Sequence, residues 1–427
     1  KEHIIKYFES GIKDIKNFKI GIEHEKFLFN EKTNKRVDYS TVLKMFSLLS
    51  EFGWKPIMEK ENIIGLQKQG KSITLEPGNQ IELSGDKLNN IHEACAESHD
   101  YLFELQQVTK KLNLKIVSAG FDPISKLSDV PNNPKQRYQV MTKDMPDGGS
   151  LSLDMMYRTC GTQLNLDYDS EKDFIKKFKV INSIVPISIA LFANSSIVEK
   201  KNSGYMSYRS KVWQETSRGG LPKVFFDNMD FEKYADFAIN FPLLFIQENK
   251  EYLSGNNYSF QDFMDGKIKE INNRVPTEDD LTTHLSTIFT ENRLKKYIEL
   301  RSMDTCGWDC LCSGPAFNTG ILYGNLDEAY DLISKWDKNK IINAYLEAPK
   351  KGFNTELMGK DLLYWSSILL GISKKGLKTR DVLSKSGESE VKFLNHLDKL
   401  IDNKTTNADH MIDKFSKNEN LNDLYDK

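Results

Sequence analysis

Two glutamates, Glu23 and Glu25, stand two positions apart in the apolar stretch that runs from Ile20 to Phe29. Because side chains alternate between the faces of a β-strand, both carboxylates lie on one face, and Ile20 and Ile22 lie on the other. Neighbouring carboxylates repel each other and are costly to bury without a cation. Hard oxygen donors suit Mg²⁺ or a similar ion, so the stretch predicts a metal site, with a solvated sheet edge as the plainer alternative.

Three later stretches repeat this design, with an apolar face opposite a face of carboxylate, amide or guanidinium groups. Their polar pairs are Gln80 and Glu82, Gln163 and Asn165, and Glu299 and Arg301. If these strands pair in one antiparallel sheet that is open on one side, the polar faces form an oxygen-rich wall. Such a wall can hold Mg²⁺ and phosphate, with Arg301 placed for a phosphoryl oxygen. Four unrelated solvated strands are the alternative interpretation.

The chain is long enough for one large domain or several ordinary ones, and 39% hydrophobic residues are ample for a packed core. Strand-like segments dominate its first three quarters and helical periodicity dominates the rest. The sequence therefore predicts a single α+β catalytic domain over residues 1–427. We expect a sheet-rich core over about 15–320 and a helical C-terminal portion over about 325–427.

Charge and hydropathy exclude several classes of partner. The 59 basic and 61 acidic residues give a net charge of −2 without a basic stripe, which does not suggest nucleic-acid binding. Asn182, Ser183, Pro186 and Ser188 interrupt the longest apolar run, so no membrane span is predicted. Five cysteines, an odd number, indicate free thiols in a reducing compartment, and we expect a cytoplasmic location. The chain begins at Lys1 rather than at a methionine, so the sequence leaves open whether a leader segment has been removed.

Residues 65–72, GLQKQGKS, satisfy the pattern of a phosphate-binding P-loop. That loop functions only when a helix follows it, and here a strand and the Pro77-Gly78 turn follow. A true P-loop is therefore disfavoured, although Lys68 and Lys71 can still reach a nucleotide from a hairpin. Near the end of the sheet-rich region, Cys306, Cys310 and Cys312 lack the fourth ligand that zinc requires, which favours structural or incidental thiols.

Two connecting segments have compositions that suit ligand contact. Residues 122–150 form a long connection rich in Pro, Asn, Asp and Gly, and loops of that length are usually functional or disordered. Arg137 and Tyr138 are its candidate ligand-binding residues. Residues 202–220 combine glycine, aromatic residues and two arginines, and they fit a ligand-contacting loop and a solvent-exposed connection equally well.

Several motifs taken together resemble one known family. They are IGIEHEKF, IIGLQKQGKSITLEPGNQIELSG, SLDMMYRTCGTQLNLD, SYRSKVW and RLKKYIELRSMD. In this order they resemble the glutamate–cysteine ligases of the plant and proteobacterial type, from about residue 5 to about residue 325 and more weakly beyond. The resemblance implies a glutamine-synthetase-like fold, in which a curved, mainly antiparallel sheet forms a funnel wrapped by helices. It also implies a monomer or homodimer that makes γ-glutamylcysteine from glutamate, cysteine and ATP with two or more Mg²⁺ ions, the first step of glutathione synthesis.

The resemblance also implies roles for individual residues. The residues matched to the metal cluster are Glu23, Glu25, Glu82, Gln163, Asn165 and Glu299. Those matched to catalysis are Arg301, Glu25 and Glu299. Those near the amino-acid substrates are Arg137, Arg158, Thr159, Arg209 and Trp213. The candidate nucleotide-binding residues are Arg301, which the resemblance implies, and Lys68 and Lys71, which the hairpin suggests.

Cysteine positions depart from the plant pattern. Plant members carry regulatory disulfides whose partners include cysteines in the helical C-terminal part, and this chain has no cysteine after Cys312. Cys95 matches a plant cysteine but lacks that mate. We therefore predict an activity that does not depend on a long-range disulfide.

Other functions fit part of the pattern. They are an ATP-dependent ligase with another amine acceptor, a phosphagen-type kinase that stops at phosphoryl transfer, and a non-enzymatic protein that binds divalent metal. Release of ADP separates them, because a ligase needs glutamate and an amine together, a kinase needs one acceptor, and a binding protein releases none.

Overall fold

The computed structural model describes residues 1–255, 258–418 and 424. Its strands are β1 (Ile20–Asn30), β2 (Lys55–Glu59), β3 (Asn62–Lys68), β4 (Lys71–Leu75), β5 (Ile81–Ser84), β6 (Leu114–Val117), β7 (Gly161–Leu166), β8 (Ile197–Val198), β9 (Lys201–Asn202), β10 (Gly219–Gly220), β11 (Phe245–Glu248), β12 (Glu251–Ser254), β13 (Phe289–Thr290), β14 (Asn292–Leu294), β15 (Ile298–Asp304), β16 (Glu356–Leu357) and β17 (Lys360–Asp361).

The α-helices of the described residues alternate with these strands and then fill the C-terminal part. They are α1 (Glu2–Glu9), α2 (Tyr39–Leu49), α3 (Ile91–Lys111), α4 (Gln136–Asp144), α5 (Ser152–Arg158), α6 (Glu171–Ser183), α7 (Val185–Leu191), α8 (Tyr208–Gln214), α9 (Phe231–Asn240), α10 (Phe260–Met264), α11 (Glu278–Ser286), α12 (Trp308–Leu311), α13 (Ser313–Thr319), α14 (Leu326–Ile333), α15 (Lys338–Lys351), α16 (Leu362–Arg380), α17 (Asn395–Asn403) and α18 (Asn407–Asn418).

One antiparallel sheet organises the described part of the chain. Its order is β14-β15-β7-β1-β5-β4-β3-β2, and β6 pairs with the second half of β1. All of its strand pairs are antiparallel. The predicted α+β class with a mainly antiparallel sheet is therefore confirmed.

β1 is central because its 11 residues pair with three neighbouring strands. Its first half pairs with β7, its middle with β5 and its end with β6. On the back of the sheet, apolar side chains are buried against helices that include α3, α6, α7 and α13. Examples of these side chains are Ile22, Ile73, Leu83, Leu164 and Leu300. Because strand side chains alternate, this burial leaves Glu23 and Glu25 on the opposite face.

The C-terminal helices share a core with the sheet. One cluster of buried apolar residues extends from Ile4 through Leu164 and Leu300 to Leu400. This continuity favours a single domain over residues 1–427, which stays a prediction. The C-terminal residues 419–423 and 425–427 of that domain lie outside the described residues.

Both connections that were predicted as loops contain a helix. α4 lies within 122–150 and buries Tyr138 and Met141, and α8 lies within 202–220 and is capped by the Ser207 side chain. Helices of nine and seven residues are too short to show a clear period in the sequence, and their burial comes from the surrounding structure.

The expectation of free thiols is wrong for four of the five cysteines. Cys95 is bonded to Cys312 and Cys306 to Cys310, and Cys160 is free and buried. Packing of α3 beside the segment before α13 brings Cys95 and Cys312, 217 residues apart, to a Cα–Cα distance of 5.8 Å. Cys95 thus lacks a partner in the helical C-terminal part, as expected, but it has a different partner in Cys312. Activity without a long-range disulfide stays a prediction, which the Cys95–Cys312 bond does not favour.

In the described residues, none of the helices is both long enough and apolar enough to cross a bilayer.

Candidate active site

Three glutamates, the acidic row, lie side by side on the open face of the sheet. Glu23 and Glu25 project from β1, and Glu82 of β5 is directly opposite Glu25 in the strand register. Gln163 of β7 is opposite Glu23 on the other side. The Asn165 amide donates to Glu23 Oε1 at 2.8 Å, and the Gly161 backbone N–H donates to Glu25 Oε2 at 2.6 Å. The sheet therefore brings together the predicted oxygen donors of three separate strands.

Glu82 is buried, Glu23 and Glu25 are half-buried, and the acidic row has too little positive charge beside it. Burial, followed by repulsion from Glu82 and Glu299, raises the pKa of Glu23 to about 7. Burial and the charge of Glu76 raise the pKa of Glu82 to about 7. Burial, Glu82 and Glu76 raise the pKa of Glu25 well above its ordinary value. A bound cation would favour the ionised form of each of these carboxyls.

The acidic row fits a metal ion that takes few protein ligands. Among the described residues, no three Asp, Glu, His or Cys side chains converge closely enough to hold a metal by themselves. Facing residues of paired strands stand about 5 Å apart, so Glu25 and Glu82 can share an ion. Mg²⁺ is usually bound through one or two carboxylates, and water and substrate phosphates supply its other ligands.

A second group, the basic cluster, surrounds Glu299 of β15. Arg293 of β14 binds both Glu299 oxygens at 2.9 and 2.7 Å, Arg301 Nη1 binds Oε1 at 2.8 Å and Lys295 Nζ binds Oε2 at 3.1 Å. Although burial opposes the effect, Arg293, Lys295 and Arg301 hold the pKa of Glu299 well below its ordinary value. Three cations around one carboxylate leave the basic cluster with excess positive charge. A metal can reach Glu299 only if one of these cations moves.

A β-bulge sets the direction of Arg301. Arg301 and Ser302 together lie opposite Gln163, after which Met303 pairs with Thr162 and Asp304 with Gly161. Bulges of this kind redirect side chains next to functional sites. Here the Arg301 guanidinium donates to the Gln163 side-chain oxygen, and Asp304 still returns to the open face.

Asp304 fixes the helix that carries two predicted substrate-binding residues. Its carboxylate accepts from the Ser195 hydroxyl at 2.6 Å and from the Ser207 hydroxyl at 2.9 Å. Ser207 caps α8, and the Arg209 backbone N–H donates to Ser195 Oγ at 3.1 Å. The end of β15 therefore positions the start of α8 over the open face.

Two arginines lie beside the ring of Trp213 in α8. The guanidinium carbons of Arg209 and Arg301 stand 5.3 and 5.5 Å from its ring centroid. Buried Glu291 accepts from the Tyr345 hydroxyl at 3.0 Å, and its charge faces the same two arginines. Arg209, Arg301 and Trp213 therefore supply two cations and an aromatic ring beside the acidic row. This combination suits an amino-acid substrate with carboxylate groups.

Several buried polar atoms in this region have no protein partner among the described residues. They are Asn165 Oδ1, Arg209 Nε, Arg301 Nε, Trp213 Nε1 and Arg137 Nε. Buried polar groups in proteins are nearly always hydrogen-bonded. Their concentration around one face therefore indicates a site that binds a polar ligand.

Not every predicted residue joins the site. Lys68 and Lys71 lie on the other face of the sheet, where Lys68 pairs with Glu104 at 2.6 Å and Lys71 with Glu97 at 4.0 Å on α3. The hairpin turns both side chains towards that helix and away from the acidic row, so their predicted nucleotide-binding role stays a prediction that this placement does not favour.

Two predicted substrate-binding residues have structural partners. Arg158 pairs with Asp154 at 2.9 Å and with Glu199 at 3.2 Å. The Thr159 hydroxyl donates to the Met155 carbonyl at 2.6 Å. The substrate-binding role of both residues stays a prediction.

Sequence reasoning missed four charged residues of the site. They are Glu76, Glu291, Arg293 and Lys295. Glu76 could have been found, because it faces Gln80 across the Pro77-Gly78 turn and so shares the face of Glu82. Arg293 lies on β14, and a strand of three residues is too short for alternation to reveal it.

Comparison with known proteins identifies relatives along nearly the whole chain. A family model described as glutamate–cysteine ligase family 2 matches residues 19–427. Glutamate–cysteine ligase B of rice (Oryza sativa subsp. japonica), a chloroplastic protein, is 39% identical over 421 residues, which cover 97% of this chain and 84% of the relative. The chloroplastic tobacco (Nicotiana tabacum) enzyme is 38% identical over 97% of this chain and 80% of its own length.

A solved structure shares the fold. The glutamate–cysteine ligase of Francisella tularensis, determined in complex with AMP, superposes with a TM-score of 0.56 at 14% identity and covers 95% of this chain and 86% of its own. The glutamine-synthetase-like fold expected from the sequence is thereby confirmed. The expected cytoplasmic location is corrected, since the rice and tobacco relatives are named as chloroplastic proteins.

Proposed function

This chain belongs to glutamate–cysteine ligase family 2, and we propose that it forms γ-glutamylcysteine from glutamate, cysteine and ATP on the open face of its sheet. One observation carries the assignment of the site. The acidic row on β1 and β5 and the basic cluster on β14 and β15 lie on the same face of one sheet, and only β7 separates the two pairs of strands. Transfer of a phosphoryl group from a metal-bound triphosphate to a carboxylate requires both signs of charge in one place.

The reaction needs an activated carboxyl group. The γ-carboxylate of glutamate attacks the γ-phosphorus of ATP, ADP leaves, and an acyl phosphate forms. The cysteine amine then attacks the acyl carbon, loses a proton, and displaces inorganic phosphate. Arg301 would neutralise charge on the transferred phosphoryl group, and its contacts with Gln163 and Glu299 on the open face support this role.

Mg²⁺ is the metal that this donor set favours, because the acidic row supplies only carboxylates and its flanking side chains are amides. Glu25 and Glu82 would share such an ion, with Glu23, Gln163 and Asn165 beside them, and Mg²⁺ would neutralise the phosphate oxygens. Glu299 would join this set after one of its cations moved.

Arg209 and Trp213 are proposed to bind the amino-acid substrates. Arg209 stacks on Trp213 and donates to the Arg301 carbonyl at 2.8 Å, so its remaining donors can take a carboxylate next to the phosphoryl site. Arg137, beside the rings of Tyr138 and Phe245, is proposed for the other end of the substrate site.

Release of ADP while the amine is varied tests the proposal. We expect ADP only when glutamate, ATP, Mg²⁺ and cysteine are all present, with γ-glutamylcysteine formed in equal amount. Equal release with glutamate alone would indicate a kinase. A faster reaction with another amine would show that this amine, and not cysteine, is the acceptor. The absence of ADP release under every condition would reject the function.

A further inference from the structure

A lysine that the sequence motifs did not single out stands at the edge of the site. The turn between β14 and β15 contains three residues, Lys295, Lys296 and Tyr297, and its backbone is closed by a hydrogen bond from the Lys295 N–H to the Tyr297 carbonyl at 2.8 Å. Strand alternation places Lys295 on the same face as Arg293 and Glu299. Lys296 is turned to the other side.

The two neighbouring lysines have different surroundings. Lys295 Nζ lies 3.1 Å from Glu299, with its side chain only 15% exposed, and its charge acts on Glu23 as well. Lys296 pairs with the exposed carboxylate of Glu278 at 2.9 Å and lies over the ring of Tyr7 in α1, with its side chain 42% exposed. Lys295 therefore faces the site, and Lys296 faces away from it.

Within the basic cluster, Lys295 keeps more unused donors than Arg293, while Arg301 is already proposed to take the transferred phosphoryl group. The Arg293 guanidinium is used by both Glu299 oxygens and by the carbonyls of Ser286 and Ile288. Lys295 Nζ has Glu299 Oε2 as its polar partner in the part of the chain that the structure describes. An ammonium group carries three N–H donors, so two remain for a ligand.

The position of Lys295 along the sheet selects the phosphate that it can reach. Arg301 lies next to Gln163 and Trp213, on the side where the amino-acid substrates are proposed to bind. Glu299 is two residues, or about 7 Å, further along β15, and Lys295 lies beyond it at the turn. The long side chains of both residues nevertheless meet at one carboxylate, Arg301 at Glu299 Oε1 and Lys295 at Glu299 Oε2. Two successive phosphates of a nucleotide can therefore reach the two cations, with the γ-phosphoryl group at Arg301 and the next phosphate at Lys295.

We propose that Lys295 binds the β-phosphate of the nucleotide, exchanging its contact with Glu299 for phosphate oxygens, while Arg293 stays bound to Glu299 and holds the turn in place. This inference rests on the proposed function, since it assumes that ATP binds on the open face. It also replaces Lys68 and Lys71 as the lysine contribution to nucleotide binding.

Titration of the intact protein with AMP and ADP in the presence of Mg²⁺ tests the proposal. We expect Lys295→Met to weaken ADP binding about tenfold or more, the usual effect of losing a hydrogen bond to a charged group. AMP binding and the KM for glutamate should change less than about threefold, because neither ligand has a β-phosphate. Lys295→Arg should restore most of the ADP affinity, which separates loss of the charge from damage to the fold.

Lys296→Met is the matched control, because it removes the same group from the same turn on the outer side. It should leave ADP affinity and turnover at the wild-type values. Equal loss in both variants, equal loss of AMP and ADP binding, or unchanged ADP binding by Lys295→Met would overturn the inference. Failure of the wild-type protein to bind ADP at all would instead reject the proposed function.

Discussion

At Glu82 the requirements of metal binding and of stability oppose each other. Its carboxyl is 8% exposed and its pKa is raised from an ordinary value of 4.5 to about 7 by burial and by Glu76. A raised pKa stabilises the folded state fully below pH 4.5, and this contribution is lost as the pH rises through 7. The acidic row therefore lowers the free energy of unfolding of the metal-free protein at neutral and higher pH.

We predict that Glu82→Gln stabilises the metal-free protein at pH 8 by up to about 3 kcal/mol and has little effect at pH 4. Denaturant unfolding at the two pH values measures this difference. The control is Glu51→Gln at an exposed position, which should leave the free energy of unfolding unchanged at both pH values. Mg²⁺ should stabilise the wild-type protein more than the variant. A variant that is less stable at pH 8 would contradict this account of the acidic row.

Substitutions that remove the reacting charges should act on turnover rather than on the fold. We predict that Glu25→Gln and Arg301→Ala each lower turnover by about 10²- to 10³-fold, the usual effect of removing a charge-stabilising group. Turnover of saturated enzyme is the measurement, and the exposed Lys360→Ala serves as the control. Near-normal turnover with an unchanged unfolding temperature would reject the role assigned to that residue.

Among the elements, the contact between α16 and the π-helical turn Gly320–Gly324 leaves no room for side chains. A Cβ atom added at Gly376 of α16 would overlap the Gly320 carbonyl, whereas one added at Gly371 would meet no atom within 4 Å. Both glycines lie inside the same helix. Their environments, rather than their helix propensities, should decide the effect of substitution.

We predict that Gly376→Ala lowers the free energy of unfolding by about 2 kcal/mol or more, because the backbones must separate. Gly371→Ala should raise the free energy by up to about 1 kcal/mol, since alanine is the better helix former. Denaturant unfolding of the two variants gives the comparison. Changes of the same sign would show that helix propensity, and not the close contact, dominates.

For the whole molecule, the Cys95–Cys312 bond closes a far longer loop than the Cys306–Cys310 bond, with separations of 217 and 4 residues. Cross-links restrict the unfolded chain more when they close longer loops. We predict that Cys95→Ser with Cys312→Ser lowers the free energy of unfolding by up to about 5 kcal/mol, and that the paired change at Cys306 and Cys310 lowers it by about 2 kcal/mol. Equal losses, measured by denaturant unfolding under oxidising conditions, would speak against this explanation.

The sequence determined the alternation that separates the two faces of the sheet. Ile22 and Leu164 had to be buried and Glu23 and Gln163 had to lie opposite them, because the period of a strand is two. The repeated polar pairs, together with the quoted motifs, were therefore enough to predict the acidic row, Arg301 and the fold class.

Only the tertiary structure decided that Lys68 and Lys71 pair with α3, that Lys295 joins two arginines around Glu299, and that Cys95 meets Cys312. These features depend on contacts between segments that are far apart in the chain, on a bulge at Arg301 and on a three-residue strand. Local periodicity carries no information about such contacts, since they are selected by the packing of the whole sheet against its helices.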